Sequence, residues 1–193
     1  MALDTEQILS WIGLSSIPGV GRATFRKLVG RFGSPEGVLR TTEDELAEQG
    51  GVSGKIAREI ATSPWHDFAE QELEKARAAG VAIITDTDPA YPPALRAAPD
   101  APLYLYVRGT LPFGDRVAVA MVGTRTPTHY GLTVTHRMAY ELAARGMTVV
   151  SGMARGIDTQ AHKGALDARG TTVAVLGCGI DVIYPPENRA LME

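Results

Sequence analysis

The sequence predicts an α/β protein: a parallel, Rossmann-like sheet, incomplete at its C-terminal end, preceded by a small all-α module of the helix-hairpin-helix or sterile-alpha-motif-like (SAM-like) kind. Two observations carry this. Residues 117–122, 149–151 and 173–176 read Val-Ala-Val-Ala-Met-Val, Val-Val-Ser and Val-Ala-Val-Leu, runs of the sort found in strands buried on both faces of a parallel sheet. Each ends in small residues ahead of a helix-like segment. At the front of the chain, Ile17-Pro18-Gly19-Val20-Gly21 and Gly51-Val52-Ser53-Gly54 each place a glycine turn before an amphipathic helix, a repeat one short helical unit apart.

Taken in order, the first glycine turn opens a helix through Leu28 that carries Arg22, Arg26 and Lys27, and residues 41–48 read as a capped helix between the two turns. This describes a five-helix module over residues 1–66. Its turns point backbone N–H groups outward, so Arg22, Arg26 and Lys27 are candidate cations for a nucleic-acid backbone, the other reading being a tight helix-helix turn that meets protein. Residues 67–80 form a helix ending at Gly80, and residues 81–85 a strand. Residues 88–102, rich in proline and alanine, suit an extended connection. Residues 103–107 make a further strand with Tyr104 and Tyr106 on one face, where packing outweighs base stacking as their role. Because two strands alone do not sustain a core, residues 67–193 are grouped as one extended Rossmann-like domain.

In an open α/β sheet, ligands settle beyond the carboxyl ends of the strands, where helix starts present backbone N–H groups and a positive dipole end. The first edge supplies Gly123, Thr124 and Arg125, and the second Ser151, Gly152, Arg155 and Gly156. The third supplies Gly177 and Gly179, with Cys178 between them and Tyr184 beyond. Glycines that admit close approach, hydroxyls and two guanidinium forks make a phosphate shelf. Lys163, Tyr184 and Arg116 are secondary candidates. Tyr184 is either a platform for a base or a lid over the sheet edge. Asp158 either caps the next helix or orients Arg155, and His162, four residues on, is read as a packing residue. None of the three edges is Gly-x-Gly-x-x-Gly or a Walker loop. No nucleophile with a base, paired carboxylates or metal ligands occur at them, so no catalytic residue, cofactor or metal is expected.

With 193 residues, 45% apolar and 21% charged, the chain fits one medium domain and a small one. No run approaches the ~18–20 apolar residues of a membrane span, and the start lacks a basic signal region, so a cytoplasmic protein with no membrane contact is expected. One cysteine, Cys178, excludes an internal disulfide; it reads as a small buried residue. The net charge is −3. Residues 1–66 hold 7 basic and 8 acidic residues, 67–110 hold 4 and 7, and 111–193 hold 8 and 7. Nucleic acid would therefore be held by a local patch, with a shallow salt dependence.

The blocks Gly-Thr-Arg (123–125), Ser-Gly-Met-Ala-Arg-Gly-Ile-Asp (151–158), Ala-His-Lys-Gly-Ala-Leu (161–166) and Val-Leu-Gly-Cys-Gly-Ile-Asp-Val-Ile-Tyr-Pro-Pro-Glu-Asn (175–188), in this order, resemble the bacterial DNA-processing protein A (DprA/Smf) family. The resemblance reaches back through residues 88–95 and 102–109. It implies a protein that binds and protects single-stranded DNA and loads the recombinase RecA in natural transformation, with Gly123, Thr124, Arg125, Ser151, Gly152 and Arg155 on DNA phosphates. The family's sheet domain continues past Asn188 with a self-association surface, so truncation within that domain, and loss of a homodimer interface, are expected. Two alternatives belong to other classes. One is a nucleotide enzyme akin to the phosphoribohydrolases, whose Pro-Gly-Gly-x-Gly-Thr string is missing here; the other is an adaptor that binds only protein.

Overall fold

A computed structural model describes residues 4–112, 114 and 117–193; Arg116 lies outside them. The chain divides into two compact units, Met1–Gly109 and Thr110–Glu193.

The first unit opens with five helices, α1 (Thr5–Ser16), α2 (Arg22–Phe32), α3 (Pro35–Leu39), α4 (Glu43–Gln49) and α5 (Gly54–Thr62). Their starts are written in the sequence. Asp4 with Gln7 and Thr42 with Glu45 form capping boxes, and Ser34 and Ser53 accept from the Gly37 and Ile56 amides. Gly19, at φ +88° in the turn between α1 and α2, needs the left-handed region that only glycine enters freely. Trp11, Leu14, Phe25, Leu28, Val38, Leu46 and Ile60 fill the core these helices enclose.

α6 (Trp65–Ala78), β1 (Val81–Thr85), the short α7 (Pro93–Arg96) and β2 (Tyr104–Arg108) complete this unit. The boundary therefore falls at Gly109, where the sequence placed it after residue 66. The reason is packing: Ala69 and Leu73 of α6 bury against Leu9 and Ile12 of α1, with Ile83 of β1 against them, and Leu103 enters the helical core. β1 and β2 pair antiparallel, Val81 opposite Arg108, and the helices supply the surface a two-stranded ribbon lacks. The connection expected to be extended is instead folded around Tyr91, fully buried, whose hydroxyl donates to the Pro102 carbonyl at 2.8 Å. Tyr104 and Tyr106 pack edge to face at 5.6 Å, and the Tyr106 hydroxyl donates to Glu72.

In the second unit, β3 (Ala118–Ala120), β4 (Thr148–Ser151) and β5 (Thr172–Ala174) form a parallel sheet in chain order, joined by α8 (His129–Ala144) and α9 (Ile157–Asp167). Both crossovers step the same way across the sheet, and a constant right-handed sense lays both helices on one face. They pack on each other and on β4 around Ala139, Ala143, Val149, Ala161 and Ala165. Gly164 makes this approach possible, since a β-carbon there would overlap the His136 carbonyl oxygen. Burial on both faces, as the apolar runs suggested, is met on the helical face alone. Val122 and Val175 remain 77% and 63% exposed among the described residues. No helix among the described residues is long and apolar enough to cross a membrane.

His162 shows why α9 sits where it does. It is 1% exposed, with Nδ1 2.7 Å from the Thr172 hydroxyl. That hydroxyl donates its proton to the Val149 carbonyl at 2.8 Å, so His162 Nδ1–H is the donor to Thr172 and Nε2 is a bare acceptor with no buried partner. A proton on Nε2 would be stranded. Burial accordingly holds the imidazole pKa below the ordinary histidine range, against a smaller upward pull from Asp158. The unfolded chain takes up this proton near pH ~6.5 and the native one only at lower pH, so the stability is full above that value and falls as pH drops below it. We expect the urea midpoint to drop more between pH 7.5 and 5.5 in the wild type than in His162→Gln; equal drops would contradict this account.

Candidate functional site

The three strand ends of the parallel sheet meet in a cleft of about 280 Å³ lined by Arg125, Gly152, Ala154, Leu176, Gly177, Cys178 and Tyr184. One segment comes from each expected edge. Within this shared rim, however, the individual groups divide sharply between those open to a ligand and those engaged by the protein itself.

The second edge is engaged. Asp158, 6% exposed in the first turn of α9, turns back so that Oδ2 accepts from the Gly152 amide at 3.2 Å and the Ala154 amide at 3.3 Å. It caps the loop before its own helix and leaves Arg155 to another partner. A β-carbon on Gly152 would sit 2.8 Å from that carboxylate oxygen, so this glycine admits Asp158, where the sequence suggested a phosphate. Ser151 is buried and donates to the Met121 carbonyl at 2.6 Å, tying β4 to the end of β3. A buried hydroxyl whose proton is so held does not reach a phosphate, and Ser151 is withdrawn from the shelf.

The first edge is split. Gly123 packs against the Ile157 side chain, its missing β-carbon 2.7 Å from Cγ1. The Thr124 hydroxyl accepts from the Thr126 amide at 3.2 Å and the Thr124 carbonyl accepts from the Ile157 amide at 3.2 Å. Gly156, at φ +81°, closes the same seam: a β-carbon there would overlap the Thr124 carbonyl oxygen and lie 2.8 Å from Pro127 Cδ. Arg125 is different. It is exposed on the cleft rim and makes no ion pair or hydrogen bond among the described residues.

At the third edge, Gly177 has nothing within 4 Å of where a β-carbon would stand, so its backbone is open to the cleft, whereas Gly179 abuts the Asp181 carboxylate. Cys178, expected to be buried, is exposed there; the glycines flanking it hold no covering side chain over it. Tyr184 is 45% exposed and lies under Arg155, whose Cζ is 5.9 Å from the ring centroid. Lys163 is exposed on α9. Arg155 forms a two-point ion pair with Glu187, Nη2 to Oε2 at 3.2 Å and Nε to Oε1, a partner the sequence reading missed. Hydrogen bonding to Arg155 holds the Glu187 carboxyl below the usual carboxylate range.

In the helical unit, Lys27 Nζ donates to the Gly51 carbonyl at 2.6 Å and so ties one glycine turn to the other's helix, while Arg26 pairs with Asp86 at 3.3 Å. Of the three candidate cations there, Arg22 keeps an exposed guanidinium without a partner among the described residues. The α2 start, with Gly21 as N-cap, has no side-chain cap. His66, Asp67 and Glu70 gather exposed in the first two turns of α6.

Comparison with known proteins bears on this arrangement. Residues 82–193 match the family model of DNA recombination-mediator protein A, and residues 12–62 that of the SAM-like helix-hairpin-helix tandem. The chain belongs to the DNA recombination-mediator protein A family. It is 36% identical over 187 residues to Protein Smf of Synechocystis sp., covering 95% of this chain and 47% of that protein. It is 34% identical over 122 residues to DNA processing protein DprA of Bacillus subtilis, covering 63% and 41%. The fold matches the crystal structure of DNA processing protein A from Streptococcus pneumoniae with TM-score 0.73 and 25% identity, over 100% of this chain and 64% of that one. The chain thus spans about half the length of the curated relatives it matches.

The division of the glycines is testable. Gly156→Ala should cost about 2 kcal/mol or more, since it combines a left-handed backbone with overlap onto a fixed carbonyl. Gly177→Ala should stay within about 0.5 kcal/mol of wild type. Urea denaturation separates the two, and equal losses would contradict these assignments.

Proposed function

We propose that the chain binds single-stranded DNA at the carboxyl edge of its parallel sheet, with Arg125 as the principal phosphate anchor and Arg155 as a second. The backbone at Gly177 admits the strand, Tyr184 offers a face for a base, and Lys163 adds charge nearby. The observation that carries this reading is one cleft joining an unpartnered guanidinium, an open glycine backbone and an exposed aromatic ring. Phosphate contacts of this kind position a strand without reading its sequence. A ring at the rim serves unstacked bases, which a duplex keeps inside.

The side chains lining the cleft include no general base beside a nucleophile. That favours a binding role over a nucleotide enzyme. The family membership and the DNA-processing names of the relatives support a place in DNA uptake and recombination. On this reading the protein shields the incoming strand and passes it to the recombinase RecA. Arg22, exposed at the start of α2, provides a secondary DNA contact.

Fluorescence anisotropy with labelled oligo-dT and a duplex of equal length tests this. The single strand should bind more tightly, and Arg125→Ala should weaken it roughly tenfold, as for loss of one charge-assisted hydrogen bond. Equal affinity for duplex, or an unaffected variant, would overturn the assignment.

A further inference from the structure

The Arg155–Glu187 pair is the feature of the sheet edge that single-strand binding leaves unexplained. Its geometry is specific: the guanidinium meets the carboxylate at two points, and its Cζ stands over the Tyr184 ring, 5.9 Å from the centroid. Two parallel N–H to oxygen contacts are the way an arginine fork holds a phosphate. The carboxylate therefore fills the position a phosphate would take on Arg155.

What delivers Glu187 there is its neighbour. Asn188 is 3% exposed, and its Nδ2 donates to the Met153 carbonyl and to the Thr159 hydroxyl, both at 2.9 Å. Pro185 is buried on the other side. The segment is thus bolted to the second loop and the start of α9, while the Arg155 and Glu187 side chains remain 50% and 52% exposed. The carboxylate can swing into solvent with no movement of the backbone that carries it. An ion pair this exposed is weak, within reach of displacement by a strand already anchored at Arg125.

We propose that Glu187 is a built-in competitor for DNA phosphate. It occupies Arg155 in the free protein and yields it only when a strand is held in the adjoining cleft, so that Arg155 engages a polyanion anchored at two points and ignores an isolated anion. This rests on the single-strand reading above and adds a residue that sets its affinity. Removing the carboxylate makes Arg155 permanently available.

Anisotropy titrations of the full chain with oligo-dT at several salt concentrations decide it, using wild type, Glu187→Gln, Arg155→Ala, the double variant, Arg125→Ala, and Asp181→Asn as a charge-matched change on the neighbouring loop. Glu187→Gln should tighten binding about two- to fivefold, and Arg155→Ala should make the logarithmic salt slope shallower by about 0.7, one phosphate fewer neutralised on a single strand. The tightening should vanish in the Arg155→Ala background, and Asp181→Asn should fall short of it. Equal gains from Glu187→Gln and Asp181→Asn, a gain that survives in the double variant, or no gain at all would overturn the proposal. Binding that depends on Arg125 yet ignores Glu187→Gln defeats this inference alone. Absent binding, or binding indifferent to Arg125→Ala, defeats the reading of the cleft and this inference with it.

Discussion

The Asp158 carboxylate, accepting from the Gly152 and Ala154 amides, decides what this sheet edge has to offer. A carboxylate that is 6% exposed is tolerable only when its charge is met by donors, and the loop after β4 supplies them. The anion site expected at a helix start is thereby filled by an anion from the chain's own helix. Binding chemistry passes from backbone amides to side chains: the guanidinium of Arg125, the ring of Tyr184 and the bare backbone of Gly177.

The same logic ties the edges together. Gly156 lets the second loop press against the Thr124 carbonyl, Ser151 holds the end of β3, and Asn188 fixes the third segment to the second loop. Each strand end is thus bolted to the next, and the cleft between them is shaped before any ligand arrives. Preorganisation of this kind lowers the ordering cost of binding. The sheet topology contributes too. Strands running in chain order place both helices on one face and all three carboxyl ends at one rim, which is why a three-stranded sheet suffices to assemble the cleft.

Much of the fold was legible because its signals are local. Capping boxes at Asp4 and Thr42, the glycine turn at Gly19 and the apolar runs of β3 to β5 each speak within a few residues. The cleft was legible in outline for the same reason: Gly123-Thr124-Arg125, the 151–158 block and the 175–188 block do lie at adjacent strand ends. What failed was the assignment of individual groups. A glycine signals that something comes close, without saying whether that something is a ligand or the chain itself; Gly152 and Gly156 admit Asp158 and Thr124, and Gly177 alone of these faces open space. The pairing of Arg155 with Glu187, and of Arg26 with Asp86, spans 32 and 60 residues, beyond any periodicity argument. The domain boundary moved for a similar cause, because the burial of Leu103 among helices from the first sixty residues leaves no trace in the composition of the linker.

The most direct test of the account is an amide chemical-shift titration of the isotope-labelled chain with oligo-dT. The largest shifts are expected at Arg125, Gly177, Cys178 and Tyr184, with the Gly152 and Ala154 amides nearly still because Asp158 retains them. Shifts greatest at Gly152 and Ala154 would show a phosphate displacing Asp158 and would contradict the account at its root.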